Sequence, residues 1–478
     1  MAPAVDDLPR DGLVAVVKRD CPTCAVVAPV LAELPGVVVY TQDDPAFPET
    51  VRAIDDTALE VSLALDVRVV PTLLRLDDGA ETGRAEGWLR PAWEELAGVT
   101  GLGGDLPEYR PGCGSRTGDP EFADELLVRT RGDSLHARQI ELTALEDEAE
   151  ALFARGWSDG LPVVAPTRAR VLRMLEGTSR DPSDVVATVP PDLVEVTVEK
   201  VAINAVLAGC RPEYLPVVLA AVEAACTDEF NAHGLLATTY PTGPAVVVNG
   251  PVASEIGMNA RGNALGQGNR ANSTIGRALQ LVIRNVGGGR PGEVDRAALG
   301  HPGKVGFSFA EDEAGSPWEP LSVSRGAAPG VSAVTVFAAE GPRAVADQIS
   351  RTPQSLVGSL AAGLRGVAHH KLVGGFDATL VVCPEHARVF ADAGWSRADL
   401  EAALSEALLL DPSTIVRGAD GIEEGVPEGR VTEPVPKFRP GGLMIVHAGG
   451  GAGMFSSVIG AWVGGPGGST PVTREVRA

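Results

Sequence analysis

The sequence has few aromatic residues, few cysteines and fewer basic than acidic side chains. Only 4% of its 478 residues are aromatic, and the formal net charge is −23. Because an acidic surface repels nucleic-acid phosphates and anionic membrane headgroups, we expect neither as a partner. Six cysteines in a chain of this length are too few for a disulfide framework.

Long apolar runs are also missing. No stretch of about eighteen apolar residues predicts a membrane span, and residues 1–8 have neither a basic region nor an apolar core. We therefore expect no secretory signal and no membrane association, and we expect a cytoplasmic location. The length exceeds what one hydrophobic core usually serves, so two or three domains are expected.

The most informative motif is a pair of cysteines with two residues between them, Cys21 and Cys24. An apolar run at residues 13–17 precedes the pair and an apolar helical stretch follows it to residue 34, which predicts a strand-to-helix junction. A helix N-terminus lowers a thiol pKa, and the spacing lets the second sulfur close a disulfide. The alternatives are half of a metal site or two buried core thiols. A zinc site needs a second such pair or a Cys/His pair at short spacing, and the first hundred residues contain neither.

Alternating elements continue after this junction. Strands are predicted at residues 37–40 and 69–76, and helices at residues 51–65 and 90–99. A turn at residues 77–79 predicts that the second of these strands enters a hairpin.

This order of elements, the CxxC motif and Val70-Pro71-Thr72 about fifty residues later resemble the thioredoxin fold over residues 8–104. The resemblance implies that Pro71 follows a cis peptide bond and lies against the dithiol, where it positions the incoming chain. It also implies that Cys21 attacks the target disulfide and that Cys24 resolves the mixed disulfide.

Two positions depart from the thioredoxin pattern. Asp20 precedes the first cysteine where thioredoxins usually have tryptophan, and Ala15 replaces a buried acid on the incoming strand. The adjacent carboxylate opposes thiolate formation, and the missing acid removes a proton acceptor for the second thiol. We therefore expect Cys21 to be a slower or more selective nucleophile than that of a general reductase.

Residues 105–139 are predicted to be a linker and lead-in, because glycines and prolines are frequent and apolar residues scarce from residue 101 to 120. Cys113 in this stretch is flanked by glycines, and the nearby Arg116 favours its thiolate. A third thiol on a tether could shuttle electrons or act as the substrate-facing nucleophile. The alternative is an incidental linker cysteine.

Residues 140–478 alternate helical and strand patterns, which predicts a larger mixed α/β domain, with two subdomains if the chain divides near residues 326–330. The predicted fold class is therefore α/β, a thioredoxin-like domain followed by this larger domain. A loop rich in glycine and asparagine at residues 262–272 feeds a predicted helix, and its amides and guanidinium suit a small anion. A tightly turned loop with asparagine caps is the alternative. The predicted substrate-binding residues of the loop are Gly266, Gly268, Asn269, Arg270 and Asn272.

Further polar residues are candidates for acid–base or ligand contacts. Glu311 is predicted to bind substrate and, with Glu319, to exchange protons. His447 and Ser456 adjoin glycine clusters that allow close backbone approach. Solvated acidic and surface loops are the alternatives. The histidine spacings demand no metal site, and we predict neither a metal nor a cofactor.

Three strings, at residues 269–277, 302–304 and 316–320, resemble a bacterial family that accompanies UGSC-motif (seleno)proteins. The resemblance covers residues 140–478. It implies thiol or selenol chemistry on a small molecule, with a (seleno)protein as a partner.

Together these features predict a thiol-dependent oxidoreductase. The dithiol domain would deliver electrons to a larger domain that acts on a small anionic or sulfur-containing molecule, and an external thiol reductant would reset it. The alternatives are a lyase or C–S bond-handling enzyme with a supporting thioredoxin-like domain, and a redox-sensing assembly protein. The predicted catalytic residues are Cys21, Cys24, Pro71 and Cys113.

Overall fold

The computed structural model of the protein describes residues 8–142 and 147–477. The chain forms two compact units, divided in sequence between Gly132 and Asp133. Both units contain helices and strands in mixed sheets, so the fold class is α/β, as predicted. Within the described ranges, no helix is both long and apolar enough to cross a membrane.

The first unit has a five-stranded mixed sheet at its centre. The strands of the whole unit are β1 (Gly12–Val17), β2 (Val38–Thr41), β3 (Ala53–Asp55), β4 (Val69–Val70), β5 (Thr72–Asp77), β6 (Ala80–Glu86), β7 (Trp88–Leu89), β8 (Tyr109–Arg110) and β9 (Cys113–Gly114). Its helices are α1 (Pro22–Leu31), α2 (Glu60–Ala64), α3 (Arg90–Ala97) and α4 (Pro120–Arg131). The central sheet has the order β3-β2-β1-β5-β6, with β1 parallel to β2 and antiparallel to β5. Residues 13–17 of β1 are all buried because this central strand is covered on both faces.

The helix predicted at residues 51–65 is wrong in its first half. Residues 53–55 form β3, which pairs in parallel with β2, and the helix begins only at Glu60. The buried carboxylate of Asp56 accepts hydrogen bonds from the amides of Val61 and Ser62. It thus satisfies amides of the first turn from a position before the helix.

The stretch predicted to be a linker contains ordered elements that pair with the first unit. Strand β8 pairs with β7, and β9 pairs with β4. The buried side chain of Gln42 donates a 2.7 Å hydrogen bond to Ser115 Oγ and accepts one from the Arg116 amide. Helix α4 follows within the same unit. The glycines and prolines that resembled a tether are thus part of a segment held by backbone pairing.

The second unit contains two four-stranded sheets. Its strands are β10 (Val185–Val189), β11 (Val194–Thr197), β12 (Gly243–Asn249), β13 (Ser308–Ala310), β14 (Ala333–Ala339), β15 (Arg343–Ala346), β16 (Phe376–Val382), β17 (Leu409–Leu410), β18 (Val435–Pro436), β19 (Leu443–His447), β20 (Phe455–Val463) and β21 (Val472–Glu475). Its helices are α5 (Glu148–Ala154), α6 (Arg168–Leu175), α7 (Val198–Ala208), α8 (Leu215–Ala225), α9 (Ala232–Ala237), α10 (Pro251–Glu255), α11 (Arg270–Asn285), α12 (Leu321–Ser324), α13 (Pro353–Arg365), α14 (Pro384–Asp392), α15 (Arg397–Ala407) and α16 (Pro412–Ile415). The sheets have the orders β13-β12-β14-β21 and β15-β20-β16-β19.

These sheets pack face to face between two layers of helices. In β12, Ala245 and Val247 contact the core shared with the second sheet, whereas Val246 and Val248 face α7, α8 and α11. Helices α13, α14 and α15 cover the outer face of the second sheet. Strands β16 and β19 run parallel, so their carboxyl ends meet at one edge.

Candidate functional site

The two cysteines of the CxxC motif lie at the junction of β1 and α1. Cys21 is the N-cap residue of α1, and its sulfur accepts a 3.3 Å hydrogen bond from the amide of Cys24. The same sulfur lies 3.5 Å from the carbonyl oxygen of Val70, which precedes Pro71 across a cis peptide bond. Cys21 is 1% exposed and Cys24 is fully buried. A large partner therefore has no direct access to either sulfur.

Cys113 adds a third thiol to this site. In the antiparallel pair of β9 and β4, Cys113 stands opposite Val70, whose carbonyl oxygen lies 3.5 Å from the Cys21 sulfur. Unlike the other two thiols, Cys113 is partly exposed. The structure thus brings together all four residues that were predicted to be catalytic, Cys21, Cys24, Pro71 and Cys113.

The three thiols have different acidities. The hydrogen bond from the Cys24 thiol lowers the pKa of Cys21 to about 5; burial opposes the shift, and hydrogen bonds from Cys113 and from the amides of Cys24 and Thr23 add to it. Burial, followed by the interaction with Cys21, raises the pKa of Cys24. The same two causes, in the same order, raise the pKa of Cys113. The site therefore holds one thiolate between two protonated thiols at neutral pH.

Two electrostatic expectations from the sequence are wrong. Asp20, which was expected to oppose ionisation of Cys21, is exposed, and hydrogen bonds to the thiolate decide the acidity. Arg116, which was expected to favour the Cys113 thiolate, stacks on Phe122, while burial and Cys21 raise the pKa of Cys113. The residues next to each cysteine in the sequence did not predict its pKa, because the fold places groups from distant parts of the chain closer to the sulfur.

Close backbone packing holds β9 against β4. A β-carbon on Gly112 would lie 2.3 Å from Val69 Cγ1 and 2.8 Å from the Val70 carbonyl oxygen, so glycine is required there. The hydroxyl of Thr23, inside the CxxC motif, donates a 2.7 Å hydrogen bond to the carbonyl of Pro111. The segment that carries Cys113 is therefore held by contacts with both β4 and the CxxC motif.

In the second unit, the glycine-rich loop at residues 262–272 and a second glycine-rich segment that begins at Gly449 line one cavity. It has a volume of about 320 Å³ and lies beside the carboxyl ends of β16 and β19. Of the predicted substrate-binding residues, Gly266 lines this cavity. The lining residues are Asn263, Ala264, Leu265, Gly266, Val381, Ala448, Gly449, Phe455 and Ser457.

The other predicted residues of the loop have contacts within the protein. Asn269 caps α11 by accepting a hydrogen bond from the Asn272 amide, and Arg270 donates to the Gly209 carbonyl. The buried amide of Asn272 bonds to backbone groups of residues 259 and 264. Gly268 has a φ of +106°, which suits a turn. These contacts correspond to the alternative of a tightly turned loop.

The acid–base candidates also have specific surroundings. Glu311 is buried, accepts 2.7 Å hydrogen bonds from the Asn249 side chain and the Leu321 amide, and lies 3.5 Å from Arg397. Burial raises the pKa of its carboxyl group, and these hydrogen bonds and the Arg397 charge oppose the shift. Glu319 is exposed. His447 is fully buried, with Nδ1 3.1 Å from the Asp312 carbonyl oxygen.

Over residues 8–142 and 147–477, no three histidine, cysteine, aspartate or glutamate side chains come close enough together to hold a metal ion. Comparisons with protein-family models, with curated proteins and with solved structures gave no match to this chain.

One arrangement was not predicted from the sequence: the imidazole of His386, three residues after Cys383, has its Nδ1 2.7 Å from Ser456 Oγ. Cys383 follows the buried strand β16 and is the N-cap residue of α14, and His386 lies in the first turn of that helix. The signal in the sequence was a cysteine after a buried strand, followed by proline at the first helical position and by histidine three residues on.

Proposed function

We propose that the first unit is a thiol–disulfide oxidoreductase in which three sulfurs act in series. The observation that carries this proposal is the placement of Cys21, Cys24 and Cys113 at one site beside Val70, in which only Cys113 is partly exposed. A low thiol pKa at a helix N-terminus is the usual requirement of a reactive cysteine. The resemblance to thioredoxins is supported by the mixed sheet and by the cis bond before Pro71.

In the proposed reaction, the Cys113 thiolate, formed by loss of its proton, attacks one sulfur of a target disulfide. A mixed disulfide forms at Cys113, and the first target thiol leaves. The Cys21 thiolate attacks the Cys113 sulfur and releases the second target thiol. Cys24 loses its proton and attacks Cys21, so Cys113 is released as a thiol. One target disulfide is reduced and one Cys21–Cys24 disulfide is formed.

An external thiol reductant completes this cycle by reducing the Cys21–Cys24 disulfide through the same exchanges in reverse. We propose a cytoplasmic location, because a cytoplasmic reductant would keep the dithiol reduced. The electrons would serve a small anionic or sulfur-containing molecule that the second unit binds, with a (seleno)protein as a further partner. The target disulfide in the first test is a small molecule, because Cys21 and Cys24 are buried and Cys113 is only partly exposed.

The test mixes the reduced full-length chain with a small aromatic disulfide and follows thiolate release. We expect the wild type to release two thiolates rapidly, Cys21→Ser to stop after one with a mixed disulfide at Cys113, and Cys113→Ser to react at least tenfold more slowly. The matched control is Cys226→Ser, because burial raises the pKa of that thiol to about 12 and it should be slow to react. Cys24→Ser should accumulate a disulfide between Cys21 and Cys113, identified by peptide mapping.

Two results would contradict the relay. A Cys21→Ser chain that releases both target thiolates rapidly would show that the dithiol takes no part. A Cys113→Ser chain that reacts as fast as the wild type would show that disulfides reach Cys21 without the third thiol.

A further inference from the structure

Another cavity of the second unit, with a volume of about 230 Å³, lies where the start of α11 meets α6 and the end of α7. Among the described residues, the charged side chains that line it are three arginines: Arg170 and Arg173 of α6, and Arg270, the first residue of α11. This lining includes no carboxylate, although the chain has 63 acidic and only 40 basic residues. The cavity thus gathers positive charge in an acidic protein.

Backbone carbonyl groups hold two of these guanidinium groups in place. Arg270 Nε donates a 2.8 Å hydrogen bond to the carbonyl oxygen of Gly209, and Arg170 Nη1 donates a 3.0 Å hydrogen bond to that of Ala165. A guanidinium group has five N–H donors, so each contact orients the group and leaves most of its donors for a ligand.

The charges of these two arginines are not neutralised by their partners. Arg277, about two turns further along α11, donates two 2.7 Å hydrogen bonds to the carboxylate of Asp159. In the described part of the chain, the partners of the Arg170 and Arg270 side chains are the two carbonyl groups, which are neutral. An anion in the cavity would therefore meet two guanidinium groups without a competing carboxylate.

The inner wall of this cavity is apolar. Met174, Val206 and Cys210 line it and are all buried. Burial raises the pKa of the Cys210 thiol to about 12, and the charges of Arg270 and Arg277 oppose that shift. The thiol is thus neutral at physiological pH, and the positive potential of the arginines extends to this wall. Small-molecule sites commonly combine an apolar wall with a few polar groups that fix the orientation of the ligand.

We propose that this cavity binds a small organic anion. Its carboxylate or phosphate group faces Arg170 and Arg270, and a short apolar group packs against Met174 and Val206. Two guanidinium groups form several charge-assisted hydrogen bonds with the oxygens of one such group. Arg173, three residues after Arg170 on the same face of α6, adds a third positive charge to the wall.

Arg270 is then the residue of the glycine-rich loop that contacts the anion, in a cavity separate from the one that Gly266 lines. That this anion is the molecule served by the dithiol rests on the proposed function of the first unit. The binding itself does not.

The test measures binding of butyrate and of butyl phosphate to the full-length reduced chain by isothermal titration calorimetry. Uncharged butyramide is the control ligand. We expect a Kd below about 1 mM for at least one of the two anions and no measurable binding of butyramide. The tighter anion identifies the oxyanion as a carboxylate or a phosphate. Shortening its alkyl chain by two methylene groups should weaken binding about tenfold.

Variants identify the arginines that bind. Arg170→Gln and Arg270→Gln should each weaken binding at least tenfold, because charge-assisted hydrogen bonds are lost. The matched control is Arg365→Gln, since Arg365 is also exposed and donates one hydrogen bond to a backbone carbonyl, that of Ala407, but does not line the cavity. Phenylglyoxal, which modifies arginine side chains, supplies a second measurement on the unaltered chain. Peptide mapping should show that the anion protects Arg170 and Arg270, and not Arg365, from modification.

Circular dichroism establishes that the variants fold, and the protection pattern decides the matter if one of them does not. Three results would overturn the proposal: no measurable binding of either anion, equal binding of butyramide, or equal weakening in Arg365→Gln. The titrations contain no disulfide, so their outcome does not depend on whether the thiol relay operates.

Discussion

Replacing Cys113 tests how much the third thiol stabilises the Cys21 thiolate. The thiolate accepts hydrogen bonds from the Cys24 thiol, from the Cys113 thiol and from two amides. A hydrogen bond to a charged group contributes about 1.5 to 3 kcal/mol, and a thiol is a weak donor, so we take the lower value. Because 1.36 kcal/mol corresponds to a factor of ten in an ionisation constant, Cys113→Ala should weaken ionisation of Cys21 roughly tenfold.

The assay is a pH titration of thiolate ultraviolet absorbance, with Cys21→Ser as the baseline. The wild type should show a midpoint near the Cys21 pKa of about 5, and Cys113→Ala should show a higher one. Cys113→Ser is the matched control, since its hydroxyl keeps a donor at the same place. The reasoning is refuted if Cys113→Ala leaves the midpoint unchanged, or if serine raises it as much as alanine does.

Two further predictions concern packing and charge. Gly112→Ala should lower the free energy of unfolding of the first unit by about 1–3 kcal/mol, because its β-carbon would collide with Val69. The control is Gly114→Ala, which has open space around it and should change the melting temperature little. Equal melting temperatures for the two variants would contradict the packing argument. Burial opposes ionisation of Asp159, but its two 2.7 Å hydrogen bonds from Arg277 outweigh burial and lower its pKa. This stabilisation is present above the unfolded value near 3.8 and is lost as the pH falls through the folded pKa. Asp159→Asn should therefore lower the free energy of unfolding by about 3 kcal/mol at neutral pH. The difference in melting temperature between this variant and the wild type should narrow below about pH 4. A difference that stays constant with pH would refute this prediction.

Elements that depend on local sequence patterns were predicted well. The strand predicted at residues 13–17 is observed as Gly12–Val17, and the helix after the first cysteine is observed as Pro22–Leu31. In both cases the apolar run alone identifies the element, because central strands and buried helices need continuous apolar surface. Periodicity did not reveal that residues 53–55 form a strand, since an edge strand of three residues has too short a pattern.

The candidate site was predictable only in part, for a related reason. The spacing of Cys21 and Cys24 is a local feature, so the sequence was enough to identify the dithiol. The position of Cys113 follows from pairing between β9 and β4, which are distant in sequence and only two residues long each. Asn272 illustrates the converse ambiguity, because asparagines that bind ligands and asparagines that hold a loop together share the same sequence pattern.

The pairing of β9 with β4 also affects where the protein can be divided. A fragment that ended at residue 104 would leave the backbone groups of Val69 and Val70 unpaired and would take Ser115 away from the buried amide of Gln42. An uncovered strand edge is a template for self-association. Such a truncated piece would be prone to aggregate, and its dithiol would be open to large disulfide partners that have no direct access to it in the intact protein. Recombinant dissection of this chain should therefore cut after Gly132.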